Sequence, residues 1–181
     1  MRIVIVLAVL VAAVLAFAAT RPDTIRITRS MVINASPETI FALISDFHNW
    51  IRWAPQDRED PTMMRTYSGP TSGVGSISDW DSTGSTGRGR MSIVEASPPT
   101  KVSIKVDFVK PFEAHNLNQF TLEPDGTSTK VTWTMQGTNV YMTKVMSVFV
   151  NVDRLMGKHF ETGLGDLRAI AEKCFVPSLC D

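Results

Sequence analysis

Only a few ionisable side chains of this chain lie on or beside strand-like segments that could place them in a common pocket. The candidates form three groups, which are Asp107, Glu113 and His115 around one turn, Arg90 and Glu95 on one segment, and Asp79 and Asp81 on either side of Trp80. A carboxyl group that faces an apolar cavity has a raised pKa, and it can act as a general acid or base on a carbonyl-rich substrate. Charged side chains are mostly exposed in folded proteins, so we expect about four in five of these groups on the solvent face.

The histidines and glycines predict neither a metal site nor a phosphate loop. His48, His115 and His159 are isolated, and no pair of them has the spacing of a metal-binding motif. The glycines at 73–75 lack the third glycine of a dinucleotide fingerprint, and the segment 84–89 lacks the Gly-Lys-Ser/Thr ending of a P-loop. We therefore expect no metal ion and no cofactor, and we interpret both glycine segments as turns.

Aromatic residues are better placed than charged residues for contact with a ligand. Trp50 and Trp53 are three residues apart and share one face if their segment is helical, so they either edge a cavity or fill the end of a sheet. In a strand, Trp80 lies on the opposite face from the aspartates beside it, which belong in water. Trp133 is expected to pack in the core, beneath the last helix.

The elements that would hold these side chains follow from the hydrophobic pattern. A β-branched segment at 24–33 precedes Ser36, which is placed to cap a helix that begins at Pro37. Six more strand-like segments follow, separated by turn residues, at 63–67, 75–81, 88–95, 101–108, 116–122 and 130–135. Their short connections favour antiparallel pairing. Between 139 and 173 the apolar residues recur every 3.6 residues, which predicts a long amphipathic helix. This order is typical of an α+β domain.

Six motifs in this order resemble those of the SRPBCC or START-like superfamily, specifically its bacterial polyketide cyclase/dehydrase-like group. They are Asn-Ala-Ser-Pro-Glu-Thr-Ile-Phe at 34–41, Asp-Phe-His-Asn-Trp-Ile-Arg-Trp at 46–53, Gly-Val-Gly at 73–75, Gly-Arg-Gly-Arg-Met at 87–91, Thr-Lys-Val-Thr-Trp at 129–133 and Phe-Glu-Thr-Gly-Leu at 160–164. The resemblance covers nearly all of 24–173. It implies a helix-grip fold, in which a seven-stranded antiparallel sheet curves around a long C-terminal helix and leaves an apolar cavity between them.

Large apolar side chains on these elements are the predicted contacts of a ligand in that cavity. They are Trp50, Trp53, Trp80, Phe108, Phe112, Phe149, Met156 and Phe160. No catalytic residue is predicted, because no acid/base pair stands out. Gly157, Gly163 and Gly165 in the last helix cost about 1 kcal/mol each relative to alanine. We expect them either to make room for a ligand or to allow close packing of the helix on a strand.

The chain divides into an apolar N-terminal segment, one folded domain at 21–173 and a short tail at 174–181. Residues 3–19 carry no charge and follow Arg2, and as a helix they would span roughly 25 Å, near the bilayer core thickness of about 30 Å. We predict that 1–20 is a membrane anchor, with a cleaved signal peptide as the alternative. The domain is then expected on the periplasmic or extracellular side of the cell membrane, held by a single-pass anchor or, in the alternative, released after cleavage.

Charge and cysteine content narrow the possible partners. Eighteen basic and 18 acidic residues give a net charge of zero, so the composition does not favour nucleic acid. Cys174 and Cys180 form an even pair in a chain predicted to be exported, which favours a disulfide. So small a ring would contribute about 2–2.5 kcal/mol. The alternative is a buried Cys174 with a mobile Cys180.

Three functions fit these features. The first is a membrane-associated or exported domain that binds a small hydrophobic molecule, such as a lipid, an isoprenoid or an aromatic, polyketide-like compound. The second is a cyclase or dehydratase that folds a polyketide-like chain in the same cavity. The third is a module for protein interaction at the cell envelope, which would require an exposed apolar patch. We favour the first, because no acid/base pair stands out and a fold alone does not confer a reaction.

Overall fold

Seven antiparallel strands form one curved sheet in the order β1-β7-β6-β5-β4-β3-β2. The computed structural model describes residues 2–56, 60–84, 86–111, 113–139, 144–145, 148 and 151–174. Its elements are α1 (Arg2–Ala19), β1 (Thr24–Ile33), α2 (Pro37–Ser45), a 3-10 helix (Phe47–Arg52), β2 (Met64–Ser68), β3 (Ile77–Asp81), β4 (Arg88–Ser97), β5 (Lys101–Lys110), β6 (Ala114–Asp125), β7 (Ser128–Thr138) and α3 (Val152–Cys174). The predicted helix-grip arrangement of an α+β domain is confirmed.

Strand pairing is as the short connections predicted, except that the first strand joins the last. The register of β1 on β7 runs from Thr24 opposite Thr138 to Ile33 opposite Thr129. All other pairs are hairpins of consecutive strands. The pairing of β4 with β5 shifts register twice, between Arg88 and Gly89 and after Ile93. Such irregularities bend a strand and increase its twist, which helps the sheet curve around the helix.

The predicted helix start at α2 is confirmed in detail. The Ser36 hydroxyl accepts a hydrogen bond from the Thr39 amide at 3.3 Å, and Pro37 occupies the first helical position. Ile40, Leu43 and Ile44 are buried on one face of this short helix. The cap and the apolar face together fix α2 against the core.

Helix α3 packs against β1, where Arg29 connects the two elements. The Arg29 guanidinium donates to Glu161 Oε1 at 2.9 Å and to Asp153 Oδ2 at 3.0 Å. A Cβ atom at Gly157 would overlap this guanidinium, and one at Gly163 would lie 3.0 Å from the Trp133 ring. Close packing on the sheet, one of the two expectations for these glycines, therefore describes both.

Aromatic rings fill the space between α3, the 3-10 helix and the middle of the sheet. Trp133 stacks on Phe160 with 4.1 Å between ring centroids and 3° between planes. Phe120 lies 4.8 Å from Trp133, and Trp53 lies 6.0 Å from it. The predicted position of Trp133 beneath the last helix is thus confirmed.

The N-terminal helix α1 exposes its apolar side chains, with Ile3 86%, Leu7 63% and Leu10 58% exposed. None of the helices within the described residues meets the combined requirement of length and apolar composition for crossing a membrane. Cys180 lies outside the described residues, so the disulfide with Cys174 stays a prediction.

Candidate functional site

A cavity of about 410 Å³ lies between α3 and the inner face of the sheet. Most of its wall is apolar, and it is formed by Trp50, Met63, Trp80, Met91, Val106, Phe108, Pro111, Trp133, Met135, Met156 and Phe160. Its polar wall residues are Gln56, Arg65, Thr86, Asn116, Asn118 and His159. These residues lie on the 3-10 helix, on strands β2 to β7, on α3 and on the segments that connect them. The cavity therefore lies where the helix-grip arrangement places it.

Five of the eight predicted ligand-binding residues line this cavity. They are Trp50, Trp80, Phe108, Met156 and Phe160. Phe112 and Phe149 lie outside the described residues. That any of these residues contacts a ligand stays a prediction.

Trp53 is not among the described residues that line the cavity. It is fully buried, and its indole Nε1 donates to the Leu43 carbonyl at 3.3 Å. Its ring lies 4.6 Å from that of Trp50 and 6.2 Å from that of Phe120. Trp50 lies within the 3-10 helix, which ends at Arg52, and Trp53 is the C-cap residue that follows it. Trp53 therefore packs inside the aromatic core, where its ring also lies 6.0 Å from that of Trp133.

Trp80 is held against the cavity by its neighbours on β3 and β4. It lies opposite Gly89, and a Cβ atom at Gly89 would overlap the indole ring. Its Nε1 donates to the Thr86 carbonyl at 3.3 Å, and its ring meets that of Phe108 edge-on at 5.3 Å. Only 5% of Trp80 is exposed. As predicted from strand alternation, the aspartates on either side of it lie on the opposite face of the sheet.

A buried carboxylate, Asp60, fixes the loop that holds Trp80. Asp60 accepts hydrogen bonds from the Ser82 and Thr62 hydroxyls, both at 2.6 Å, and from the Thr86 amide at 3.3 Å. Hydrogen bonds from Ser82, Thr62 and Thr86 hold the pKa of Asp60 far below its ordinary value, although burial opposes the shift. Through Thr86, whose amide donates to Asp60 and whose carbonyl accepts from Trp80, this carboxylate is connected to the cavity wall.

The ionisable candidates from the sequence lie outside the cavity. Each group forms ion pairs near the surface. Asp79 accepts a hydrogen bond from Arg90 at 2.7 Å, and Glu95 accepts one from Lys101 at 3.0 Å. Asp107 forms a hydrogen bond with His115 at 2.6 Å. Asp81 pairs with Arg88, and Glu113 is 79% exposed in its side chain. The expectation that most of these charges belong to the solvent face fits their positions, and none of them lines the cavity among the described residues.

A family model described as polyketide cyclase / dehydrase and lipid transport matches residues 24–172. The chain belongs to this family. The resemblance seen in the six sequence motifs is therefore confirmed. No curated protein is significantly similar to the chain.

Solved structures share the fold of this family member at low sequence identity. Protein CV1439 from Chromobacterium violaceum has a TM-score of 0.58 at 16% identity, with 84% of this chain and 99% of that protein covered. The di-domain ARO/CYC protein StfQ of the steffimycin biosynthetic pathway has a TM-score of 0.64 at 12% identity, with 82% and 51% covered. The Mll3558 protein from Rhizobium loti has a TM-score of 0.54 at 23% identity, with 82% and 96% covered. The chain spans about half the length of StfQ, and these likenesses show the fold alone.

Polar side chains inside the cavity of this polyketide cyclase/dehydrase family member were missed by the sequence reasoning. Arg65 donates to the buried Ser78 hydroxyl at 2.9 Å, and His159 Nε2 lies 3.2 Å from Gln56 Oε1. Asn116 and Asn118 lie on the same face of β6 as buried Phe120. The signal in the sequence was their spacing of two and four residues from Phe120, which places them on the inner face of β6, where asparagine is unusual.

Proposed function

We propose that this protein binds a small hydrophobic molecule in the cavity between α3 and the sheet. The cavity of about 410 Å³ falls within the range of roughly 300–1,000 Å³ for ligand pockets, which are mostly apolar with a few placed polar groups. A cavity of roughly 150 Å³ accommodates benzene, so this one has room for a molecule of two or three rings. The largely apolar wall of this cavity is the observation that carries the proposal.

Binding is favoured over catalysis by the charges that line the cavity. Within the described residues, its ionisable side chains are Arg65 and His159, and no carboxylate lines it. A reaction with general acid and base catalysis requires a proton donor and a proton acceptor in reach of the substrate. Among the described residues of the cavity wall, the His159 imidazole is the one group suited to donate or accept a proton in this way.

A cyclase or dehydratase is the second candidate, because of that imidazole. His159 lies in the cavity wall, and its Nε2 is 3.2 Å from Gln56 Oε1. An imidazole can both donate and accept a proton, so it could move one to or from a bound carbonyl compound. If this candidate is right, His159→Gln should abolish turnover while it leaves ligand binding within about twofold, since the apolar wall is kept.

A cavity-filling variant tests the binding proposal. Met156→Trp replaces a methionine of the cavity wall by a larger side chain with an indole ring. Leu155→Trp adds the same ring to the outside of α3, where Leu155 is 63% exposed. We expect Met156→Trp to weaken binding of the apolar dye N-phenyl-1-naphthylamine at least tenfold and Leu155→Trp to leave it unchanged. The amount of dye that α1 or the detergent binds should be the same for both variants, so it does not affect the comparison. Equal binding by both folded variants would disprove the proposal.

We also propose that α1 attaches the domain to the membrane, with the domain on the periplasmic or extracellular side. The exposed apolar side chains of α1 and the single Arg2 before them support this placement. Alkaline phosphatase fused to the C-terminus should be active in cells, and a reporter that fluoresces only in the cytoplasm should be dark. The reverse pattern would reject this orientation.

A further inference from the structure

Two residues that line the cavity each carry a buried polar atom without a hydrogen-bond partner among the described residues. These atoms are Asn118 Oδ1 and Trp133 Nε1. Asn118 is 8% exposed and Trp133 is 3% exposed. Native proteins pair nearly all of their buried donors and acceptors, because an unpaired one is destabilising. Two such atoms in one cavity wall therefore indicate a site that a bound molecule completes.

The two residues are diagonal neighbours on the inner face of the sheet. Asn118 in β6 pairs with Met135 in β7, and Phe120 pairs with Trp133. Diagonal neighbours of an antiparallel pair are within reach of long and aromatic side chains. Asn116, two residues earlier on the same face, also lines the cavity, and its amide occupies the space above Gly137. The cavity wall is thus polar along this part of β6 and β7, in addition to the polar residues that other elements contribute.

The chemistry of the two atoms specifies the group that would satisfy both. Trp133 Nε1–H only donates a hydrogen bond, and Asn118 Oδ1 only accepts one. A hydroxyl group does both at once, whereas an ether or ketone oxygen only accepts and a hydrocarbon does neither. Around them the wall is aromatic, with Trp133 stacked on Phe160 and Trp80 edge-on to Phe108. Flat rings pack well on such surfaces.

We propose that the ligand is a hydroxylated aromatic compound of two or three rings, whose hydroxyl accepts from Trp133 Nε1–H and donates to Asn118 Oδ1. This inference rests on the proposed binding function and specifies the ligand class for the same cavity. A lipid with a saturated chain would leave both atoms unpaired, and so would an unsubstituted aromatic hydrocarbon.

A matched pair of probes tests the inference on the full-length protein in detergent. 2-Naphthol and 2-methylnaphthalene have nearly the same shape, and only the first has a hydroxyl. Each is titrated to displace N-phenyl-1-naphthylamine. We expect 2-naphthol to bind about five- to tenfold more tightly, since a net hydrogen bond in a protein has about this effect on affinity. Asn118→Leu and Trp133→Phe should each remove most of this preference and leave the affinity for 2-methylnaphthalene within about twofold.

Trp53→Phe is the control, because it also deletes an indole N–H, but one outside the described cavity wall that already donates to Leu43. It should keep the preference for 2-naphthol. Equal binding of the two probes by the parent protein, or a preference that survives in both folded cavity variants, would overturn the hydroxyl inference. In that case a buried water satisfies the two atoms, and the apolar site stands. If neither probe displaces the dye, the proposed binding function itself fails.

Discussion

Replacing Trp133 by alanine removes the ring that joins α3 to the sheet. The ring is 3% exposed, and it lies 4.1 Å from the Phe160 ring and 4.8 Å from the Phe120 ring. Truncating a buried tryptophan costs about 3–5 kcal/mol, and an aromatic pair adds about 0.5–1.5 kcal/mol beyond burial. No hydrogen bond is lost with Trp133 Nε1, and the new space joins an existing cavity. We therefore expect a loss of about 4 kcal/mol.

Thermal and urea unfolding, followed by circular dichroism, measure this loss. For a domain of roughly 150 residues, 1 kcal/mol lowers the Tm by about 2–4 °C, so Trp133→Ala should lower it by about 8–16 °C. Trp133→Phe keeps a ring on Phe160 and removes the unpaired N–H, so it should cost only about 1 kcal/mol. A loss below about 1.5 kcal/mol for Trp133→Ala would refute the reasoning, because it would mean that the Phe160 stack does not hold α3 on the sheet.

Two further predictions concern charges. Arg29→Met should lower the Tm by a few degrees. This difference in Tm from the parent should shrink at high salt, because the partners of Arg29, Asp153 and Glu161, have side chains that are both 60% exposed. An equal difference in Tm at low and high salt would contradict this prediction. Asp60 has a pKa in the folded state far below its unfolded-state value near 4, so its contribution to stability is fully present above pH 4 and is lost gradually as the pH falls from there through the folded-state pKa. Urea unfolding at several pH values should therefore show that Asp60→Asn is less stable than the parent at pH 7 and that the difference narrows steadily as the pH falls below about 4.

The fold could be predicted from the sequence because its signals are local. Strand alternation around Trp80, the Ser36 cap and the 3.6-residue repeat of α3 each depend on neighbouring residues. The cavity wall depends on contacts between distant ones. Asp60 meets the Thr86 amide 26 residues away, and Arg29 meets Glu161 132 residues away. No pattern within either segment indicates these pairs.

Under the proposed function, the unpaired atoms of Asn118 and Trp133 would serve ligand specificity and not the stability of the fold. Replacing Asn118 by leucine would remove a buried acceptor without a partner, and such a change is often neutral or stabilising for a fold. Stability alone would therefore not retain an amide there. A ligand that satisfies the amide stabilises the folded state in proportion to the logarithm of its concentration over Kd. The stabilisation by 2-naphthol should thus be smaller in Asn118→Leu than in the parent, even where the variant without ligand is the more stable protein. Under the proposed function, the empty site would be less stable than one with an apolar residue at Asn118, and the occupied site would discriminate between ligands with and without a hydroxyl group.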